Sequence, residues 1–549
     1  MKSRPWRLPS ALGSFRPDLG AIGQLWREWR SKQRPMVLRP YVDLHTRWRL
    51  AARFLVPAGL ALVCLVYGFF FAITAPFLIV PMAAPVAVLA LLSIWALPEN
   101  NVVPIRPMEM FFSSLLVGLI LWPNYLALTL PGLPWITMIR LTGLPMAFFL
   151  LLNLSMSPDF RAKIFGTARQ VKYMLQVILL FSINSFISLP FSHSIGTSVN
   201  QVLLQQLNWT GVFLISVYLF RIPGRAERYV MLLLSLTIPV IAIAFQEFQE
   251  QHVLWSTHVP SFLRVEDPSA QQALTSAVRG ATGLYRTKAS FSTPLGLAEF
   301  ISLMTPFAIH WAVGRYPLIL RMLGLALIPF IFVVVRLTDA RLGVLGYLIS
   351  IVTYVLFWSL IRWRQRINDL VAATLVYAYP AAFLSLLAAS MFVHKIHVLI
   401  FGGGAQAASN LHRQQQFQMA LPALLKNPIG HGAGQSGMAM GYGAGDFIAI
   451  DSYYISLALD YGVIGIVLYV AMFAVVIAAA VNTMLRFSRT EEREQTLLIP
   501  ISAFLSAFLM IRSVFSQPDI HPMIFTVLGM AVALVARSRS KRDAQLATA

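Results

Sequence analysis

The residues with most chemical potential are cations set beside apolar runs. Arg279, Arg286 and Lys288 fall in "RGATGLYRTKASFSTPLGLAEF", which leads into a long hydrophobic segment. Arg336 and Arg341 bracket the short connection "RLTDARLGVLGYL" between two further apolar runs. Arg140 lies a few residues into another run, and Arg512 near the end of a later one. Ionisable groups at such depths usually face a polar cavity and mark function. A guanidinium stays charged, and its planar fork binds phosphate through two hydrogen bonds. Several of them converging at one leaflet suit a lipid-linked diphosphate, whose headgroup sits at that level. The competing reading is snorkelling, or pairing with Asp339, Glu299 or lipid phosphate; it weighs most for Arg336 and Arg512.

One carboxylate stands in a comparable place. In "AIDSYYISLALDYGVIGIVLYV", Asp451 heads a long apolar helix. It suits an N-cap bonding the amides of Tyr453 or Tyr454, and it suits a group that takes or orients an acceptor proton. The two roles are compatible. Asp460 is nine residues on, about 2.5 turns, so it points to roughly the opposite face. That argues against a glycosidase-like pair of carboxylates. Tyr453 and Tyr454 suit interface anchors or a sugar-stacking platform, and Gly462 and Gly465 suit close helix packing. Upstream, "NPIGHGAGQSG" with His431, Gly432 and Gly434 is either a flexible loop or an anion cradle built from backbone amides. No GK[ST] closes it, so it is not a Walker loop. The scattered histidines lack HExxH or CxxC spacing, and no metal site is expected.

These residues need elements to position them. The chain has 549 residues, 57% hydrophobic and only 12% charged, with a mean hydropathy of +0.69. That composition indicates an all-α polytopic membrane protein. Apolar runs suggest about 14 transmembrane helices: 54–73, 76–97, 109–129, 134–156, 173–190, 200–220, 229–247, 294–314, 317–336, 342–361, 369–392, 453–480, 497–513 and 521–536. With both termini in the cytoplasm, roughly three quarters of the 43 Lys and Arg fall on that side, as the positive-inside rule requires. The net charge of +21 therefore needs no nucleic-acid partner, and anionic lipid suffices. Residues 1–53 read as a basic, membrane-hugging cytoplasmic segment without a signal-peptide core, residues 54–537 as the transmembrane domain, and 538–549 as a cytoplasmic tail. Two long periplasmic loops, about 247–292 and 394–452, place function on the outer side. In the second, Phe417, Ala420, Leu421 and Leu424 have the spacing of an amphipathic surface helix. Cys64 has no partner cysteine, and no internal repeat of the transporter kind is visible.

Three segments, in this order, resemble the O-antigen ligase/polymerase superfamily of integral membrane glycosyltransferases. "YRTKASFSTPLGLAEF" resembles its arginine–glycine–phenylalanine–proline segment, with Ala289 where glycine is common. "LTDARLGVLGYLIS" resembles its second arginine motif, with Ala340 replacing serine. "KNPIGHGAGQSG" followed by "IDSYYISLALDYGVIGIVLY" resembles its P-x-G-x-G loop and the helix after it. The resemblance covers roughly residues 280–470. It implies inverting, metal-independent and cofactor-free transfer of a glycan from an undecaprenyl-diphosphate carrier, at the periplasmic face of a bacterial inner membrane. Arg286 and Arg341 match its diphosphate-binding arginines. Asp451 stands where ligases carry a functionally important histidine, and aspartate there is familiar in the polymerase-like branch; Ser452 replaces the usual asparagine. The implied catalytic set is Asp451, Arg286 and Arg341. Arg279, Lys288, Arg140, Arg336, His431, Gly432, Gly434 and Tyr453 complete a substrate site.

The resulting expectation is an O-antigen or exopolysaccharide polymerase that joins carrier-linked repeat units, with a chain-length regulator or export complex as a further partner. A ligase acting on lipid A–core is the alternative within the family. A flippase of lipid-linked oligosaccharide is the alternative of another class; the missing repeat and the long loops confined to one side weigh against it.

Overall fold

The computed structural model describes residues 55, 58–59, 61–69, 79–99, 104–128, 136–263, 274, 278, 283–393, 407–442, 450–486, 492–513 and 520–548. The basic segment 1–53 and Arg279 lie outside the described residues. The chain divides into a unit ending at Pro85 and a larger one from Val86 to Ala549. In the first, residues 61–69 are helical and Cys64 is exposed.

The helices are α1 (Ile79–Trp95), α2 (Ile105–Leu121), α3 (Met138–Met156), α4 (Pro158–Arg169), α5 (Met174–Ile187), α6 (Ile195–Gln205), α7 (Val212–Phe220), α8 (Arg225–Glu250), α9 (Pro294–Val313), α10 (Leu318–Leu337), α11 (Arg341–Gln365), α12 (Leu370–Phe392), α13 (Ala407–Lys426), α14 (Tyr453–Met484), α15 (Leu498–Ile511) and α16 (His521–Thr548). Among the described residues, ten helical stretches are long and apolar enough to cross a membrane, with α6 and α7 joined into one by a π-helical turn at Gln206–Gly211. The chain is a multi-pass, all-α membrane protein.

The ten spans fall on ten of the fourteen expected segments. The third expected span differs most: α2 stops after 17 residues at Leu121, about 25 Å of helix. Trp122 takes an extended conformation ahead of Pro123, as the proline ring demands of the residue before it. The chain then forms a two-stranded antiparallel ribbon, pairing Ala127 with Thr137 and Leu128 with Ile136, where residues 109–129 were expected to stay helical. α16 also differs, running on as a charged helix through residues expected to form a tail. Arg537 pairs with Glu494 at 2.7 Å and Lys541 with Glu492.

Hydropathy alone does not separate helices facing lipid from helices facing protein. Of the apolar windows, α9 is 83% buried and α16 is 89% buried, whereas α10 is only 28% buried. α9 starts cleanly: Thr293 Oγ1 accepts from Gly296 N at 3.2 Å and Pro294 occupies the first turn, the preferred chemistry for a helix start. At the head of α8, the Glu494 carboxylate accepts from Gly224 N at 2.9 Å and Ala226 N at 3.0 Å, placing negative charge at the positive end of the helix.

α13 is the helix expected in the second loop, and it packs on α14. Its apolar stripe is divided, however: Ala420 is buried in a cluster with Met440, Ile450 and Leu459, while Phe417 and Leu421 remain exposed.

Candidate functional site

Two segments far apart in sequence meet at the head of α11. Thr287 N donates to Leu337 O at 3.2 Å, and Arg286 Nε donates to Thr338 O at 3.1 Å. The hinge they grip contains Asp339 in the left-handed region, φ 46°, which aspartate tolerates better than most residues. Arg341 follows as the first residue of α11 and is exposed; Arg286 is half-buried. A cation at a helix N-terminus opposes the helix dipole by a few tenths to about 1 kcal/mol. Arg341 is therefore poorly explained by helix stability. Set at the positive end of the helix dipole, it adds to an anion-attracting spot.

Glu247, in the last turn of α8 and 1% exposed, organises the segment from below. Its carboxylate accepts from Tyr285 Oη at 2.8 Å, Lys288 N at 3.2 Å and Ala289 N at 2.6 Å. Ala289 takes φ 48°, a conformation that favours glycine; this gives a physical reason for the glycine common at that position in the resembling motif. Lys288 is buried beside Glu247, and burial lowers its ammonium to about 8 against the opposing pull of that carboxylate. Burial also raises the Tyr285 phenol, with Glu247 adding to the effect. Lys288 therefore supports the junction from inside rather than standing on its surface.

Asp451 is not the helix cap expected of it. Ser452 is the N-cap residue of α14, and no side chain caps that end. Asp451 turns instead toward α13, where Arg413 Nε donates to its Oδ2 at 3.2 Å and Gln416 Oε1 accepts from its backbone amide at 3.0 Å. A charged partner outcompetes the backbone amides because a charge-assisted hydrogen bond is roughly twice as strong as a neutral one.

Tyr453 is a core residue, packed against Tyr469 and His521 with the Arg512 guanidinium 4.8 Å above its ring. Arg512 Nε lies 3.1 Å from Glu299 Oε1 on α9, with side-chain exposures of 0% and 1%. Pairing with Glu299, one of the two readings for Arg512, is what the structure shows. It also brings the head of α14 to the head of α9. Asp451, Arg286 and Arg341 thus stand at one end of the bundle, in two clusters: Arg286 with the α11 hinge, and Asp451 with α13.

The glycine run is an ordered plug. His431 N donates to Leu459 O at 2.7 Å, Gly432 N to Asp460 O at 3.1 Å, and Val463 N to Pro428 O at 3.2 Å. Asp460 Oδ1 accepts from Gln435 N at 3.0 Å. The amides of His431 and Gly432 are therefore spent on α14 and do not cradle an anion. Gly434 takes φ 72° beside the Gln201 side chain of α6. The docking onto α14 is possible because α14 breaks at Gly462, φ 73° and ψ −176°, freeing carbonyls that an intact helix would use. A Cβ at Gly462 would overlap the Pro428 carbonyl oxygen and lie 2.6 Å from the Ile429 carbonyl carbon. Gly462→Ala is expected to cost about 3 kcal/mol or more, since a glycine-only conformation and a backbone clash combine. A thermal melt of purified protein that shows no loss of stability would contradict this packing.

Of the remaining expected residues, Arg140 lies half-buried in the first turn of α3, its amide bonded to Thr137 Oγ1 at 3.3 Å. Arg336 is exposed in the last turn of α10. Glu247, Arg413 and Gln416 were not singled out from sequence. Arg413 and Gln416 sit in the polar first half of "HRQQQFQMALPALLKNP", the segment of α13 that also holds Phe417 and Ala420, and that position is their only signal in the sequence. Among the described residues, no three His, Cys, Asp or Glu side chains gather as a metal site would require.

Residues 325–470 match the family model described as O-Antigen ligase. That stretch, well under half of the chain, supports the resemblance to the O-antigen ligase/polymerase superfamily. The matched segment contains the α11 hinge with Arg341, the helix carrying Arg413, the glycine plug and Asp451; Arg286 reaches it from outside, through its bond to Thr338. No curated protein matches the chain. The match supports a membrane glycosyltransferase-like enzyme as the class of activity.

Proposed function

We propose that the protein is a polysaccharide polymerase acting at the periplasmic face of a bacterial inner membrane. It would transfer a glycan from undecaprenyl diphosphate to a hydroxyl of another carrier-linked repeat unit. The observation that carries this reading is the grip of residues 286–287 on the Leu337–Thr338 carbonyls, which sets two arginines at one junction. In the reaction, the bond from the anomeric carbon to the diphosphate oxygen breaks, and its electron pair leaves with the diphosphate. A new bond forms from the acceptor oxygen to that carbon with inversion, and the hydroxyl proton departs to a base. Arg286 and Arg341 stabilise the diphosphate as its charge grows, which favours the transition state over the ground state. Asp451 takes or orients the acceptor proton. Holding both substrates on one membrane surface supplies proximity.

The test is reconstitution with purified carrier-linked repeat unit. A ladder of lengthening products is expected. A single transfer to lipid A–core would make the enzyme a ligase, and translocation without new bonds would make it a transporter.

Arg413 separates orientation from stability. Its pair with Asp451 is partly exposed, with side-chain exposures of 41% and 29%, and such pairs contribute at most about 1 kcal/mol. Arg413→Ala is expected to lower elongation roughly tenfold or more with little change in melting temperature, because a misplaced catalytic group is costly. Arg413→Lys should recover part of the rate. Full activity in Arg413→Ala would remove Asp451 orientation from the mechanism.

A further inference from the structure

Glu247 is a carboxylate that its own helix does not explain. It is buried in the last turn of α8, where a negative charge meets the negative end of the helix dipole and the loss of water penalises it further. What receives it is a segment remote in sequence. Its Oε1 accepts from Tyr285 Oη and Lys288 N, and its Oε2 accepts from Ala289 N. A carboxylate suits all three donors, because it offers acceptors and no hydrogen. A glutamine in its place would turn an N–H either against the Ala289 amide or against the donors of Tyr285 and Lys288.

These contacts bracket Arg286. Tyr285 lies just before it, and Lys288 and Ala289 lie just after it. The same segment is fastened on two further sides: Thr287 N donates to Leu337 O at the α11 hinge, and Ser290 Oγ donates to Ile120 O at 2.5 Å near the end of α2. Of residues 285–290, five are buried and Arg286 alone is not. The segment therefore presents one side chain outward from a backbone held on both sides of it. A tie that served only to join α8 to the loop would not need to fall on both flanks of the arginine, nor to use a carboxylate.

We propose that Glu247 is a positioning residue for glycan transfer: by gripping both flanks of Arg286 it holds that guanidinium at the donor diphosphate. The role in transfer rests on the polymerase reading, whereas the placement of Arg286 by Glu247 does not. A shift of about 1 Å at a reacting site can cost about 100-fold in rate. Glu247→Gln sets one of the three bonds against itself, and elongation is expected to slow at least tenfold.

The experiment crosses Glu247→Gln with Arg286→Ala in the full chain, reconstituted with carrier-linked repeat unit. Acting through Arg286, Glu247→Gln should slow elongation at least tenfold in the wild-type background and less than twofold in the Arg286→Ala background. Equal fold-losses in both backgrounds, or a full rate in Glu247→Gln, overturns the proposal. A second readout needs no turnover: the rate at which phenylglyoxal modifies Arg286 in nanodiscs, read by peptide mass spectrometry. Arg413, in the other cluster and partly exposed, is the internal control. Arg286 should be modified at least fivefold faster in Glu247→Gln, with Arg413 unchanged. An unchanged Arg286 rate, or an equal acceleration at Arg413 that reports general loosening, overturns the proposal. If the wild-type protein makes no lengthening products, the polymerase reading fails, and the modification rates still decide whether Glu247 holds Arg286. Tyr285→Phe keeps the carboxylate and both amide bonds, so it carries the test if Glu247→Gln does not fold: modification of Arg286 at least twofold faster is expected, and no change overturns the proposal.

Discussion

Arg286→Ala and Arg341→Ala are each expected to cut glycan elongation by at least about 100-fold while the protein still inserts and folds. Removing a single donor that stabilises developing negative charge costs about 10²–10³ in rate, and both residues are assigned that task. The stability side of the prediction follows from their surroundings. Arg286 donates a side-chain hydrogen bond to Thr338 O, and such a bond is worth about 1 kcal/mol. Arg341 is exposed and opposes the dipole of its own helix, so its loss is expected to cost little stability. Arg341→Lys should recover only part of the rate, because an ammonium keeps the charge and loses the fork. The measurement is product length from reconstituted enzyme, together with a melting curve for each variant. Normal chain lengths in both alanine variants would remove the proposed site.

The largest stability effect is expected at the buried pair of α9 and α15. Arg512→Leu or Glu299→Leu alone should cost about 3–5 kcal/mol, since each leaves its partner charged in an interior from which solvent is excluded. The double variant should be much less affected than the sum of the two, because a buried pair replaced by apolar side chains is often close to neutral. Unfolding measured for all four proteins of the cycle decides this; additive losses would mean that the pair at 3.1 Å is not coupled. The consequence extends to function, since Arg512 also lies over Tyr453, two residues from Asp451. If that contact aims Asp451, the double variant regains stability without regaining its elongation rate.

Much of this protein follows from local sequence. Apolar runs of 18–32 residues have few options but to form helices in lipid, where every backbone amide must be satisfied within its own segment. The arginines were conspicuous for the same reason: a charge beside an apolar run is costly unless something receives it. The short hinge between two spans placed Arg341 at a helix start without further information. The superfamily motifs ran through this hinge, the glycine loop and the head of α14.

Tertiary structure decided what those groups touch. Hydropathy scores α9 and α10 both as membrane helices, yet packing buries one and leaves the other largely on the outside, because protein and lipid tails are equally apolar surroundings. Asp451 has the local geometry of a cap and becomes an ion-pair partner, since Arg413 arrives from a distant helix. The glycine run has the composition of an anion cradle and becomes a plug, since the break at Gly462 presents carbonyls that claim its amides. Sequence specifies which groups are expensive to leave unpaired. Only the folded chain, by bringing remote segments within hydrogen-bonding distance, determines which partner satisfies each one.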